Sequence, residues 1–234
     1  MAIDAVIFDW GGTLTQWHDI DPRAEARALA RAVPRADPAD ADEHAARLHR
    51  AAEVIWGRGR DQHRSATIAD IFTEAGLDHD PGLLGAYRDF WAPHTETDAD
   101  VRPLWEALRA DGVRIGVLSN TVWPRAWHRE IFERDGVHDL IDGDVYTSEI
   151  YWTKPSHEAF GAALASVGVS DPARCVFVGD RLFDDVYGAQ SVGMRAIHVP
   201  HSNIPAHQIG HTEGEPDAIA QRLLEVHGLV HNWG

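Results

Sequence analysis

Lysine is almost missing from this sequence: of 21 basic residues 20 are arginine, and the exception is Lys154. The bias reflects genome composition, and against it one surviving lysine marks a position that needs a compact ammonium in place of a planar guanidinium. Cysteine is equally scarce. Cys175 alone excludes an intramolecular disulfide, and its apolar run Cys175-Val-Phe-Val178 reads as a buried strand thiol. No stretch reaches the roughly 18 consecutive apolar residues of a membrane span. Met1-Ala-Ile-Asp4 carries no basic leader region, so a cytoplasmic protein without a membrane partner is expected. Basic charge is short overall: 37 acidic residues against 21 basic ones give a formal net charge of -16. That field repels nucleic acid and anionic membrane surfaces. It does not exclude a small anionic substrate, because local donors or a bound cation dominate within a Debye length of about 8 Å.

What is present suffices for a full core: 234 residues, 44% hydrophobic and 25% charged. Five apolar, β-branched runs read as strands, at Ala5–Phe8, Val113–Leu118, Asp144–Thr147 (the weakest), Cys175–Val178 and Arg195–Val199. Helical segments over 99–111, 123–134, 155–168, 184–192 and 214–227 alternate with them, and Asp111-Gly112 and Val167-Gly168 supply stops. This alternation predicts an α/β fold, a doubly wound parallel-sheet, Rossmann-like core. The stretch from about 20 to 95 differs, with helical spacing and no convincing strand. Helices are expected from Asp37-Pro-Ala-Asp40 to about Trp56, from Ala66 to Ala75 and from Pro81 to Phe90. The expected organisation is therefore a core of residues 1–18 and 96–234 with an inserted helical domain, residues 19–95, leaving at the turn after the first strand.

Ligands of open parallel sheets bind outside the carboxyl ends of the strands, so the residues there are read together. They are Asp9, Ser119-Asn120, Lys154-Pro155, and Gly179-Asp180 with Asp184-Asp185. In order along the chain, Phe8-Asp-Trp-Gly-Gly-Thr-Leu14, Leu118-Ser-Asn120, Lys154-Pro155 and Val178-Gly-Asp180 through Asp185 resemble the four motifs of the haloacid dehalogenase superfamily. The stretch Asp184–Met194 is similar to the helix that follows the fourth motif in its helical-cap group. The resemblance spans residues 3 to about 199. It implies an Asp9 nucleophile that forms an aspartyl-phosphate. It also implies Mg²⁺ held by Asp9, the main-chain carbonyl of Gly11, and Asp180, with Asp185 or Asp184 in support. Ser119 and the amides after Asp9 would bind phosphoryl oxygens, and Lys154 would neutralise charge. Trp10, Gly12, Thr13, Asn120 and Arg181 are the accompanying substrate-side expectations, and a small phosphorylated metabolite is the expected partner. Oligomeric state is left open.

One position departs from the family's phosphatase pattern. Where a second Asp serves as general acid and base, this chain has Gly11, which keeps the carbonyl ligand and removes a proton-transfer contribution of typically 10²–10⁴-fold. Three readings follow: a phosphatase whose leaving group needs little protonation or finds a proton elsewhere, a metal-independent 2-haloacid dehalogenase, or a weakly active binding protein. The dehalogenases usually carry a bulky aromatic at the Gly11 position, and their carboxylate-binding Arg is not identifiable in the insertion. His18 is a candidate stand-in proton donor. Arg58, Arg60 and Arg181 are candidate anion contacts, and Trp10 is expected near the site entrance. His201, His207 and His211 match no strong zinc spacing.

Overall fold

The computed structural model describes residues 2–18, 20–33, 41–78, 81–200, 204 and 209–233. Strand β1 (Ala5–Phe8) alternates its side chains between two apolar layers, Val6 and Phe8 on one face and Ala5 and Ile7 on the other. Period-two alternation with both faces apolar is what a central parallel strand requires. It pairs with β2 (Arg114–Ser119) and β4 (Cys175–Gly179), and β3 (Gly143–Tyr146), β5 (Arg195–His198) and β6 (Ala218–Ile219) extend the sheet. The order is β3-β2-β1-β4-β5-β6, all parallel. The chain reverses its direction of winding between β1 and β4, so the crevice for ligand lies beyond Phe8 and Gly179. Cys175 is fully buried in β4 and burial pushes its thiol up to about 12, as an inert core residue requires.

Helices α1 (Pro22–Ala30), α2 (Ala41–Gln62), α3 (Ile68–Glu74) and α4 (Pro81–Trp91) follow β1. Each start has a local cause where one is visible: Asp21 accepts from the Arg23 amide, and Thr67 and Asp70 form a reciprocal capping box. The α1 helix packs on α2 and α4, and α2 on α3. This helical layer is tied to the sheet's loops by main-chain bonds, Ile68 N to Val122 O (2.9 Å), Ser65 N to Tyr151 O (3.0 Å) and Thr153 N to His63 O (3.0 Å). The remaining helices are α5 (Val101–Ala110), α6 (Arg125–Arg134), α7 (His157–Ser166), α8 (Gly188–Ser191) and α9 (Glu225–Asn232).

Some boundaries move. The helix expected over 214–227 is instead the two-residue strand β6 followed by α9, because a two-residue edge strand is too short to show a period. The 184–192 helix begins as a widened turn, Leu182–Tyr187, in which the Val186 amide reaches the Arg181 carbonyl, before α8. The α7 helix starts two residues late because Ser156 caps it. The α1 helix has no counterpart among the expected ones, and α2 runs six residues past Trp56 to Gln62. The expected helix start at Asp37–Asp40 lies outside the described residues, as do His201 and His207.

Candidate active site

At the end of β1 the Asp9 amide donates to the Val178 carbonyl (2.9 Å), which docks the nucleophile candidate on the neighbouring strand. The Lys154 ammonium reaches across the strand ends and donates to Asp9 Oδ1 and to Asp185 Oδ1, each at 2.6 Å. Lys154 is fixed from behind by Asn120, whose side-chain oxygen accepts from the Lys154 amide (2.8 Å) and whose NH₂ donates to the Lys154 carbonyl (3.2 Å). Asn120 lines the cavity, but both ends of its amide are engaged by the chain, which gives it a positioning task. Asp185 is held in turn by the Arg181 amide on Oδ2 (2.9 Å). The Trp17 indole donates to Asp180 Oδ2 (2.6 Å), while Oδ1 of Asp180 is buried without a hydrogen-bond partner.

Asp9, Asp180 and Asp185 place carboxylate oxygens within 4.8 Å of one another, and all are at most 5% exposed. Lys154 is their buried cation. Carboxylates in that number, out of water and against one ammonium, leave an excess of negative charge that is costly in a low-dielectric setting. Burial, opposed by Lys154 and reinforced by Asp185, pushes the Asp9 carboxyl up to about 6. Asp180 is driven well above the carboxylate range by burial and then by the charges of Asp9 and Asp185. Burial works against the charged form of Lys154, but Asp185 and Asp9 outweigh it and hold its ammonium above the usual range. Oxygen-only donors, an orphaned carboxylate oxygen and uncompensated negative charge suit a hard divalent cation such as Mg²⁺. Asp185 belongs to this acidic group, whereas Asp184 faces the adjoining cavity.

That cavity, about 430 Å³, is bounded on the sheet side by Asp9, Ser119 and Lys154 and on the helix side by residues of α1 to α4. Gly11, Gly12, Asn120 and Arg181 also line it, with Arg181 stacked over the Trp17 ring at 5.1 Å. Thr13 is fully buried in the turn, off the cavity wall. Trp10 forms floor, not entrance: it is 9% exposed and packs on Trp123 (5.4 Å) and edge-on to His128 (4.6 Å). His18 lines the cavity with its ring 4.9 Å from that of His94. Arg60 lines the cavity and pairs with Asp61, whereas Arg58 pairs with Glu74 away from it.

Two adjacent glycines differ. Gly12 has a φ of +89°, and a Cβ there would overlap the Trp17 indole nitrogen and the Asp180 carboxylate, so only glycine fits. At Gly11 a Cβ would meet nothing within 4 Å. The Trp17 bond to Asp180 and the placement of Glu25 and Tyr87 on the cavity had no sequence signal, since neither spacing nor charge pattern distinguishes them from ordinary helix and loop residues.

The match to haloacid dehalogenase-like hydrolases covers residues 3–193. The chain belongs to this family. Among curated proteins it is similar to a glyceraldehyde 3-phosphate phosphatase of Methanopyrus kandleri, 26% identical with 97% of each chain covered. A phosphatase of the same name from Methanothermobacter thermautotrophicus is 34% identical over 51% of this chain and 48% of its own length. Among solved structures, a HAD phosphatase from Thermococcus onnurineus superposes with a TM-score of 0.68 at 23% identity, covering 97% of this chain and 98% of that one. An L-2-haloacid dehalogenase from Xanthobacter autotrophicus reaches 0.67 at 19%, covering 99% and 100%. These structural likenesses establish the fold of a HAD-like hydrolase and leave the chemistry to the site.

Proposed function

We propose that this hydrolase is a Mg²⁺-dependent phosphatase of a small phosphorylated metabolite, with Asp9 as the nucleophile. The observation that carries the reading is the Lys154 ammonium clamped between Asp9 and Asp185 beside the orphaned oxygen of Asp180. With Oδ1 of Asp9 committed to Lys154, Oδ2 attacks phosphorus. The P–O bond to the leaving group breaks, and that oxygen takes its proton from water or from the substrate itself, since Gly11 offers none. Water then attacks phosphorus in the aspartyl-phosphate, restoring the Asp9 carboxylate and releasing inorganic phosphate. Ser119 and the amides after Asp9 donate to phosphoryl oxygens, and Lys154 offsets the charge that Asp9 and the phosphoryl group bring together. Asp9, Asp180, Asp185 and the Gly11 carbonyl would hold Mg²⁺, whose charge would draw the phosphoryl group to the site and relieve the excess of carboxylates. The names of the relatives from Methanopyrus and Methanothermobacter point the same way. A metal-free dehalogenase has less support, because nothing in that chemistry relieves the buried acids.

The test is a panel of phosphate esters assayed with Mg²⁺ and with chelator, beside halide release from 2-haloacids. Release of phosphate that requires Mg²⁺ and falls by roughly 10³-fold or more in Asp9→Asn is expected. Halide release unaffected by chelator, or equal phosphate release from Asp9→Asn, would overturn the reading.

A further inference from the structure

On the helix side of the cavity, across from the strand ends, Glu25 of α1 lies half-buried among aromatic rings. Its carboxylate accepts from the Trp91 indole (2.9 Å) and from the Tyr87 hydroxyl, which itself accepts from the Trp123 indole (3.0 Å). All of these donors are neutral. No cationic side chain among the described residues pairs with Glu25, and burial, opposed only by those hydrogen bonds, holds its carboxyl above the usual range. Tyr87 and Trp91 both meet Trp123 edge-to-face, at 6.1 Å and 87° and at 5.8 Å and 67°, so the rings form a corner instead of a stack. Leu29, Leu48 and Ile55 complete the wall.

A carboxylate placed there is wasteful for a neutral alkyl ligand, which would strand it against hydrocarbon, and repels an anionic one. An organic cation resolves both problems, since it supplies the missing countercharge to the acid and is attracted to the faces of the rings. We propose that the substrate is the phosphate monoester of an amino alcohol, whose ammonium group is received by Glu25 and the rings of Tyr87, Trp91 and Trp123 while its phosphoryl group sits at Asp9. The proposal rests on the phosphatase reading above. It divides the cavity into an anion-binding end and a cation-binding end, and the volume of about 430 Å³ leaves room for both.

The experiment compares trimethylammonioalkyl phosphates, with spacers from short to long, against neutral isosteres in which carbon replaces the nitrogen. With Mg²⁺ present, kcat/KM for the best ammonium ester should exceed that of its isostere by roughly tenfold or more, mostly through KM. Glu25→Gln, which keeps the shape and the acceptor oxygen, should abolish the preference, bringing kcat/KM for the ammonium ester and for its isostere to within about twofold of each other. Calorimetric titration of Asp9→Asn with the same two series reads binding without turnover and should show the same preference. Equal kcat/KM across each pair, or equal binding by Asp9→Asn, overturns the ammonium site while leaving the phosphatase intact. Phosphate release from neither series, while the wider ester panel still releases phosphate, overturns the proposed substrate and spares the phosphatase reading; no release from the panel either overturns both.

Discussion

The two walls of the cavity are made from opposed chemistry. On the sheet side Asp9, Lys154, Asp180 and Asp185 are buried ionisable groups; the ammonium donates to Asp9 and Asp185, and Asp185 also accepts from the Arg181 amide. On the helix side the wall is largely aliphatic and aromatic, with the half-buried Glu25 among its rings and His49, Glu53 and Arg60 of α2 also lining it. The first wall is rigid because moving any member exposes an unpaired charge; the second is shaped by packing, where substitutions of similar volume cost little. On the function proposed above, reaction type would belong to the strand ends and leaving-group choice to the helices, a division that allows one to change while the other is kept.

The sharpest break of that contrast is Lys154→Met. Removing the ammonium leaves Asp9 and Asp185 buried without their shared countercharge, and a loss of about 3–5 kcal/mol in metal-free denaturant unfolding is expected. Adding Asp185→Asn to that variant should recover part of the loss. A Lys154→Met cost below about 1 kcal/mol would mean that the ammonium is not a structural partner of the acids.

Next in size is the proton donor absent at Gly11. The open space around its Cβ position admits a carboxylate. Gly11→Asp should raise turnover of alkyl phosphates by roughly 10²-fold and leave esters with good leaving groups, such as p-nitrophenyl phosphate, nearly unchanged. An equal gain on both ester types would show that protonation of the leaving group is not what Gly11 omits. The neighbouring Gly12→Ala should instead destabilise the chain by about 1–3 kcal/mol, from its positive φ and its overlap with Trp17 and Asp180.

Legibility in the sequence follows the same line between the walls. The strand-end residues announce themselves because each follows an apolar run and the topology gathers them, so Asp9, Lys154, Asp180 and Asp185 were found together from their positions and the motif resemblance. The lone lysine was a second signal, and the geometry gives its reason: a compact ammonium contacts two carboxylates at 2.6 Å where no planar fork would fit as closely. The helix-side wall was harder to read: its members come from α1, α2 and α4, and although tryptophans such as Trp56 and Trp91 can line a pocket, helical spacing identifies an apolar face without saying whether it meets core or cavity. Glu25 reads there as one more acid of an amphipathic helix. Trp10 lines the cavity next to Asp9, as its place in the sequence suggests, but the chain turns after β1 and packs most of the indole against Trp123 and His128.

His128 of α6 underlies this region and offers the finest test of it. Its ring is fully buried, stacked on Tyr146 at 4.3 Å and set against Trp10 and Trp123, with Nε2 3.2 Å from the Thr121 hydroxyl. Burial, opposed weakly by Asp144, lowers its pKa from 6.5 to about 3. The unfolded chain takes up a proton at this residue near pH 6.5 and the folded chain does not until about pH 3, so between those limits the unfolded state binds more protons. The resulting stability is complete above pH 6.5 and is lost as pH falls toward 3, by at most about 1.4 kcal/mol per unit. His128→Phe keeps the ring packing and removes the titration. Its stability relative to the parent chain should therefore improve steadily between about pH 6 and pH 4 in urea unfolding, since the carboxylates common to both chains cancel in the difference. A difference that stays flat across that range would mean that His128 takes up its proton inside the fold, and with it that the floor shared by the two walls is wet.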